Sequence, residues 1–217
     1  MVPRAGSGLT RARVLEAALE LADAEGLGAL SMRRLAGCLG VEAMSLYNHV
    51  GGKADLLDGV ASRVFEAVAL PDSALPWDER LRALGTSCYL AFRAHPAVVR
   101  AIAAGQADPR SPGALRILDA ILGALLDAGL GTREAVRGYR VLLGIVFGSV
   151  LLEWAGTAAD GAGRAEEVAD WFRRTVTEDK LPHLYRSLPA MIEADCGQDF
   201  EHELDLLIRG LRAGRSR

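Results

Sequence analysis

The sequence predicts an all-α fold in which a small N-terminal helix-turn-helix domain precedes a larger helical domain. Apolar residues recur with helical spacing along most of the 217 residues, whereas strand-like alternation lasts only a few positions. Aromatic residues make up 6% of the chain, so the core is expected to consist mostly of Leu, Val and Ala. Short helices give way to long ones at a proline-containing linker, which places the predicted domain boundary between residues 1–70 and 71–217.

Four helices are predicted in the first domain. Thr10 is a suitable N-cap for the first, which Gly26 ends, and Ser31 is a suitable N-cap for the second. Gly40 supplies the positive φ of the tight turn that follows the second helix. The predicted helices cover residues 10–26, 31–38, 43–48 and 53–68.

The second domain is predicted to contain seven helices, over residues 77–94, 97–104, 113–128, 132–154, 165–178, 182–194 and 198–212. The 12 residues from 141 to 152 are apolar all round and too few to cross a bilayer, which takes about 20, so this helix is expected to be covered on several sides. Gly144 and Gly148 are four residues apart and lie on one face of the predicted helix, where another helix could pack closely against them. A four-helix dimer interface is predicted, with a monomer core as the alternative, and its other members are Leu204, Leu207, Ile208 and Leu211.

The net charge of -3 argues at first sight against a nucleic-acid partner. The charge is unevenly distributed, however. Residues 1–13 carry three basic side chains and no acid, and residues 27–53 carry three basic side chains against Glu42. We therefore expect a locally basic edge, with the acidic side chains of the first helix facing away from it, and modest, salt-sensitive binding to non-specific DNA.

The three cysteines are widely spaced, and no histidine lies near them at zinc-ligand spacing. Neither a disulfide framework, a metal site nor a cofactor is predicted. No apolar stretch follows the basic residues at the N-terminus, so no signal peptide is expected, and a reduced cytoplasmic compartment fits best. Cys38 is expected to be a buried core thiol.

The informative stretch is the segment from Leu30 to Leu57. Its two short helices, joined by a glycine turn, have the form of a helix-turn-helix, in which the second helix enters the DNA major groove. Apolar residues are spaced to pack the two helices on each other and on the first helix: Leu35, Ala36, Leu39, Val41 and Leu46. The remaining residues of the second helix are neutral or hydrogen-bonding, as a DNA-reading surface requires.

The run A-x-x-L-G-V-x-x-x-x-L-Y-x-H-V-x-x-K-x-x-L-L, from Ala36 to Leu57, resembles the DNA-binding domain of the TetR/AcrR family of bacterial transcriptional regulators. The closing segment 200–211 is similar to the last dimerisation helix of tetracycline-repressor-type members. The resemblance implies a homodimer on a pseudo-palindromic operator, with recognition helices about 34–36 Å apart or a multiple of it. Positions matching the family's DNA contacts are Arg33, Ala43, Met44, Ser45, Tyr47, His49 and Lys53.

These positions divide by chemistry. Arg33 could reach a guanine edge, while Ala43 and Met44 could touch thymine methyl groups and Ser45 could bond to either base type. The remaining three, Tyr47, His49 and Lys53, are expected to hold phosphates, aided by the backbone N–H groups of the helix that follows Gly51-Gly52. Arg34, by contrast, is expected to be a solvated charge.

The resemblance further implies a small-molecule pocket in the second domain. The predicted lining residues form a mixed set of aromatic and polar side chains: Tyr89, Phe92, His95, Tyr139, Phe147, Glu153 and Trp154. Tetracycline-binding members hold a magnesium complex partly through histidines, and the corresponding positions fall near Ala69 and Ile102, which cannot ligate a metal. A different effector is therefore expected, and its identity is not predicted.

Two alternatives compete with a ligand-responsive repressor. A helical enzyme or small-molecule-binding protein without operator binding is one, but the sequence has no G-x-S-x-G and no phosphate-cradling glycine loop. A purely structural helix bundle is the other, and it leaves the helix-turn-helix motif unexplained. The sequence favours the repressor.

Overall fold

The computed structural model describes residues 8–108, 110–157, 161–193 and 196–214, without the side chains of residues 154–157, 161–162, 164–165, 193 and 196–198. Throughout the described residues the chain forms helices and no strand, which confirms the all-α prediction. The helices are α1 (Arg11–Glu25), α2 (Met32–Leu39), α3 (Ala43–Leu46), α4 (Lys53–Ala67), α5 (Trp77–Ala94), α6 (Pro96–Ala103), α7 (Pro112–Asp127), α8 (Thr132–Thr157), α9 (Gly161–Thr175), α10 (Pro182–Glu193) and α11 (Cys196–Gly214).

Hydroxyl caps set the starts of α1 and α2, as predicted. Thr10 Oγ1 accepts the backbone N–H of Arg13 at 3.3 Å, and Ser31 Oγ accepts that of Arg34 at 3.2 Å. Gly40 has a φ of +66° in the turn between α2 and α3. Because an L side chain rarely adopts this conformation, glycine is what allows the two helices to turn so tightly.

Helix α3 is shorter than predicted. It ends at Leu46, and the chain continues as a turn instead of a helix to residue 48. The N–H groups of His49 and Val50 both donate to the Leu46 carbonyl, at 2.9 and 3.0 Å. The segment 43–49 is therefore one helical turn followed by a hydrogen-bonded turn, and we call it the recognition segment.

Helix α4 joins the two parts of the chain. It packs against α1 on one side and against α5, α6 and α7 on the other. A Cβ at Gly59 would lie 2.6 Å from a Leu15 methyl carbon, so a larger residue there would force the Leu15 side chain to move where α1 and α4 meet. The predicted boundary at residue 70 lies just after α4 and remains a prediction.

The second domain is a bundle in which α8 packs against α5, α7 and α11. Its core includes Leu81, Leu84, Leu125 and Leu142, which are at most 2% exposed. Leu204 and Ile208 of α11 are also buried in this core, at 0% and 2% exposure. Their predicted place in a dimer interface is therefore wrong, because their side chains are used within the subunit.

Among the described residues, one helix is long and apolar enough to cross a membrane by length and composition alone, over Thr132–Glu153 of α8. Five other helices, α5, α6, α7, α9 and α11, pack against α8, and a third of its most apolar window is buried inside the fold. A core helix of a soluble protein passes the same test, so the observation is weak evidence for a membrane span.

Cys38 is exposed on α2, so the expectation of a buried thiol is wrong. The buried face of α2 contains Leu35 and Ala36 and continues to the half-buried Leu39. Cys38 lies off this face. Of the two cysteines whose side chains are described, Cys88 of α5 is the buried one, and burial raises its pKa to about 12.

Candidate nucleic-acid interface and ligand cavity

The recognition segment buries one side chain and exposes its neighbours. Leu46 is 0% exposed, whereas Met44 is 72% exposed and Tyr47 49% exposed. Ala43, Ser45 and His49 are half-buried around them. Met44 and Tyr47 lie three residues apart on one turn, and neighbouring exposed apolar side chains, unlike single ones, favour a surface that is covered by a partner.

Two basic side chains flank this surface. Arg33 on α2 and Lys53 at the start of α4 are both exposed, and neither forms an ion pair with any described residue. Their charges are available to a polyanion. The predicted set of seven contact residues thus lies on α2, the recognition segment and the first turn of α4, and its role in DNA contact remains a prediction.

The predicted basic edge is weaker than the residue count suggests. Arg34 donates to both carboxylate oxygens of Glu25, at 2.6 and 3.3 Å, so its charge is paired. Arg11 is likewise paired with Asp55. The sequence shows the basic residues but not which carboxylates the fold places beside them, here Glu25 of α1 and Asp55 of α4.

A buttress of hydrogen bonds holds the end of the recognition segment. Arg11 Nη1 donates to the His49 carbonyl at 2.7 Å, and the same guanidinium donates to both Asp55 oxygens at 2.7 and 3.0 Å. Asp55 Oδ2 also accepts the Gly51 N–H at 2.7 Å. Arg11 and Asp55 therefore tie the turn at 49–51 to α1 and α4. The Gly51 N–H, which precedes α4, is therefore not available to a phosphate.

Acid should weaken this buttress. Arg11 and the Gly51 N–H hold the pKa of Asp55 at about 2, below its ordinary value of 3.8. The stability that the ionised carboxylate contributes is therefore complete above about pH 4 and is lost as the pH falls through about 2. Because both side chains are partly exposed, we expect Asp55→Asn to cost only about 0.2–1 kcal/mol at pH 7, with the difference from the parent vanishing near pH 2, as measured by urea unfolding.

An apolar cavity of about 260 Å³ lies between α4, α5, α6, α7 and α8. Three phenylalanines form its aromatic side, with Phe92 edge-to-face against Phe65 at 5.2 Å and against Phe147 at 5.4 Å between ring centroids. The remaining lining residues are Cys88, Ile102, Arg110, Ala114, Leu115, Ile117, Leu118, Ile121, Tyr139, Leu142, Leu143 and Val146.

The structure brings together only part of the predicted pocket. Phe92, Tyr139 and Phe147 line the cavity, whereas Tyr89, His95 and Glu153 do not. Trp154 lies outside the residues whose side chains are described. Six of the fifteen lining residues are leucines and isoleucines of α7 and α8, and their sequence pattern does not distinguish them from ordinary core residues.

The three predicted residues outside the cavity make polar links between helices. Tyr89 donates its hydroxyl hydrogen to Glu153 at 2.8 Å, and Arg93 donates to the same carboxylate at 2.6 Å. His95 Nδ1 lies 2.7 Å from Asp23 on α1. Burial raises the pKa of Asp23, and the hydrogen bond from His95 partly offsets this. The His95–Asp23 contact connects the first domain to the α5–α6 corner.

The outer face of α8 and α11 carries a second apolar surface. A shallow groove there is lined by Val141, Gly144, Ile145, Gly148, Ser149, Leu152, Glu203, Leu206 and Leu207, and we call it the outer groove. Val141, Leu152 and Leu206 are 50%, 68% and 54% exposed. A Cβ at Gly144 or Gly148 would meet no atom within 4 Å, so the groove is open along the glycines.

Comparison with known families accounts for nearly the whole chain. Residues 14–60 match the family described as "Bacterial regulatory proteins, tetR family". Residues 70–215 match the family described as "Tetracyclin repressor-like, C-terminal domain".

Individual relatives agree with these matches. The chain is 31% identical over 199 residues, 89% of its length and 73% of the relative's, to the HTH-type transcriptional repressor DrrR1 of Streptomyces coeruleorubidus. It is 28% identical, over 93% of its length and 88% of the relative's, to the class D tetracycline repressor protein of Escherichia coli. The crystal structure of the TetR family protein ActR from Streptomyces coelicolor in complex with actinorhodin superposes with a TM-score of 0.82 at 30% identity, covering 96% of this chain and 98% of ActR.

Regulators of this family are in general non-enzymatic proteins that bind DNA. The exposed recognition segment, the apolar cavity and the two family matches together lead to one assignment. The chain belongs to the TetR family and is a DNA-binding, ligand-responsive transcriptional regulator.

Proposed function

We propose that the protein is a repressor that binds a pseudo-palindromic operator as a homodimer and leaves it when a small molecule occupies the cavity. The observation that carries the proposal is the recognition segment, where Met44 and Tyr47 are exposed beside a fully buried Leu46. Such a segment places a rigid, neutral surface where a major groove can receive it. A repressor of this kind needs no catalytic step, and it would act in the cytoplasm, where the bacterial chromosome lies.

On the DNA, the contact residues divide as their chemistry suggests. Met44 and Ala43 offer apolar contact to thymine methyl groups, and Ser45 offers a hydroxyl to a base edge. Tyr47, His49 and Lys53 lie toward the end of the segment and the start of α4, where they would hold phosphates and fix the register.

The outer groove supports a homodimer. Exposed apolar side chains surround two glycines on α8, and the same surface on a second copy could pack against them about a two-fold axis. Leu206 and Leu207 of α11 flank the groove, so each subunit would contribute two helices. The proposed interface therefore differs from the predicted one, because it includes the exposed Leu206 and excludes Leu204 and Ile208, which are buried within the subunit.

The position of α4, between the cavity and the recognition segment, suggests how a bound ligand would release the protein from the operator. Phe65 of α4 lines the cavity, and the other end of α4 accepts the buttress at Asp55. A Cβ at Gly113 of α7 would lie 3.0 Å from the Glu66 nitrogen, so α4 and α7 are in close contact there. A ligand that displaces Phe65 would move α4, and we expect a coupling of about 1–3 kcal/mol between effector and operator.

The proposal is tested by selecting binding sites from random-sequence DNA with the purified protein and measuring gel shifts at low salt. We expect an inverted repeat, bound by two subunits. Recovery of no preferred sequence, together with no shift of any DNA at low salt, would rule the repressor out and leave a helical binding protein without an operator.

Arg33→Ala is expected to weaken operator binding by about 1–3 kcal/mol and to relax base preference at one position, because the free guanidinium would read a guanine. Arg34→Ala is the matched control, since the Arg34 side chain is held by Glu25 and should matter less. Gel-shift titrations against a panel of single-base operator variants measure both. An equal loss on every sequence would assign Arg33 to a phosphate.

Asp55→Asn is expected to weaken operator binding about two- to tenfold, the net worth of about one hydrogen bond, because the turn at 49–51 loses its buttress. Glu42→Gln is the control, because Glu42 is exposed and makes no side-chain cap. Each change removes one negative charge near the proposed interface. If electrostatic repulsion of the DNA phosphates were the only effect, both variants would bind the operator more tightly. Tighter binding by both variants would show that the buttress does not position the recognition segment.

A further inference from the structure

We propose that the effector is an uncharged, lipophilic aromatic molecule that offers one hydrogen-bond acceptor to Tyr139. The inference rests on the proposed function only in taking the cavity as the effector site. It is carried by the charge and polarity of the cavity wall.

The wall is apolar on almost every side. Leucine and isoleucine side chains of α7 and α8 face the edge-to-face cluster of Phe65, Phe92 and Phe147 across a volume of about 260 Å³. Aromatic rings pack favourably against such a cluster in offset or edge-to-face arrangements. The shape and surface therefore suit a small ring system.

No described carboxylate lines the cavity, so a cationic ligand would meet only the aromatic faces of the wall. A cation–π contact contributes about 0.5–2 kcal/mol, whereas an unpaired charge in an apolar cavity costs several kcal/mol in lost hydration. The wall therefore disfavours lipophilic cations.

The one charged lining residue, Arg110, is already neutralised. Its Nη2 lies 2.5 Å from Asp108 Oδ2, and its backbone N–H donates to Asp108 Oδ1 at 3.2 Å. The Asp108 N–H in turn donates to Asp58 of α4 at 2.6 Å, which fixes the pair at the rim. The Arg110 side chain is also 86% exposed, so water screens what charge remains. An anionic ligand would thus gain little from Arg110.

Two neutral polar groups remain, the thiol of Cys88 and the hydroxyl of Tyr139. Burial raises the pKa of both, so neither is charged at neutral pH. The Tyr139 hydroxyl forms no hydrogen bond within the described residues and is half-buried at the cavity wall. A ligand carbonyl or ether oxygen in the cavity could accept a hydrogen bond from this hydroxyl.

Three fluorescent probes test the charge. N-phenyl-1-naphthylamine is neutral, 8-anilinonaphthalene-1-sulfonate has the same ring skeleton with an anionic group, and rhodamine 6G is a lipophilic cation. We expect the neutral probe to bind the full-length protein at least about tenfold more tightly than either charged probe. Equal or tighter binding of the sulfonate or the cation would overturn the proposal.

The site of binding is tested by filling the cavity. Ala114→Phe and, independently, Leu118→Phe should each weaken binding of the neutral probe about tenfold or more. Leu90→Gln should leave it unchanged, because Leu90 is an exposed leucine that lines neither the cavity nor the outer groove. Two filling variants guard against one that fails to fold, which circular dichroism would detect. If neither folded filling variant weakened binding, the probe would lie outside the cavity and the inference would be contradicted.

The acceptor is tested with 6-propionyl-2-dimethylaminonaphthalene, a neutral naphthalene that carries a carbonyl. Tyr139→Phe should weaken its binding about two- to tenfold and shift its emission, and should leave the naphthylamine unaffected. Equal effects on both probes would remove Tyr139 as the donor. Gel shifts of the same variants without probe report operator binding separately, so a failure of the ligand class and a failure of the repressor role give different results.

Discussion

An arginine in place of Gly148 is expected to leave the protein monomeric and to weaken operator binding about 100-fold or more. Gly148 lies in the outer groove beside Leu152 and Leu206. In a two-fold interface each copy would bring the same bulky charge into a mostly apolar surface, whose one described carboxylate, Glu203, already accepts from Ser149 Oγ at 2.8 Å. A buried charge left without its own partner costs about 3–5 kcal/mol. A monomer can occupy only one half-site at a time, so the operator loses the second set of contacts.

The subunit itself should tolerate the change. A Cβ at Gly148 meets no atom within 4 Å, and arginine is a better helix former than glycine. Gly123→Arg on α7 is the matched control, because its Cβ position is equally open and lies away from the outer groove. Light scattering after size-exclusion chromatography and gel-shift titration measure the two effects. A Gly148→Arg protein that remains dimeric and binds the operator normally would rule out this interface.

Leu46→Ala is expected to lower the free energy of unfolding by about 2–5 kcal/mol, the usual cost of a cavity in a packed core. Leu46 is 0% exposed, and its carbonyl also accepts the two hydrogen bonds that close the recognition segment. Loss of the leucine side chain should therefore loosen the segment and abolish specific binding with it. Denaturant unfolding and operator titration report the two consequences.

Met44→Ala, unlike Leu46→Ala, is expected to weaken operator binding without a large loss of stability. Met44 is 72% exposed, so its truncation should change stability by no more than about 0.5 kcal/mol while weakening operator binding. The pair separates a residue that holds the segment in place from one that faces the partner. If Met44→Ala destabilised the protein as much as Leu46→Ala, the assignment of buried and exposed faces would be incorrect.

Local signals predicted the helices well because caps and breakers act over a few residues. Thr10, Ser31 and Gly40 each perform the predicted role, since a hydroxyl cap or a positive φ depends little on the rest of the fold. The end of α3 was misplaced by two residues. Its closure depends on two bonds to one carbonyl and on Arg11, which lies far away in sequence.

Features that depend on which face meets which neighbour were predicted less well. Cys38 was expected to be buried and is exposed, while Leu204 and Ile208 were assigned to a dimer surface and instead fill the subunit core. In each case helical periodicity identifies an apolar face without saying what covers it. The same limit applies to the cavity, because an apolar side chain at a cavity wall and one in a solid core have the same sequence pattern.

A hydroxyl-radical footprint of the protein on a selected operator tests the central claim most directly, because it reports where the two recognition segments lie on the DNA. The account predicts two equivalent protected patches related by a two-fold axis, about 10 base pairs apart or a multiple of one helical turn, and lost in a Met44→Ala, Tyr47→Ala double variant that remains folded. A single asymmetric patch, or a footprint that the double variant reproduces at the same protein concentration, would contradict it.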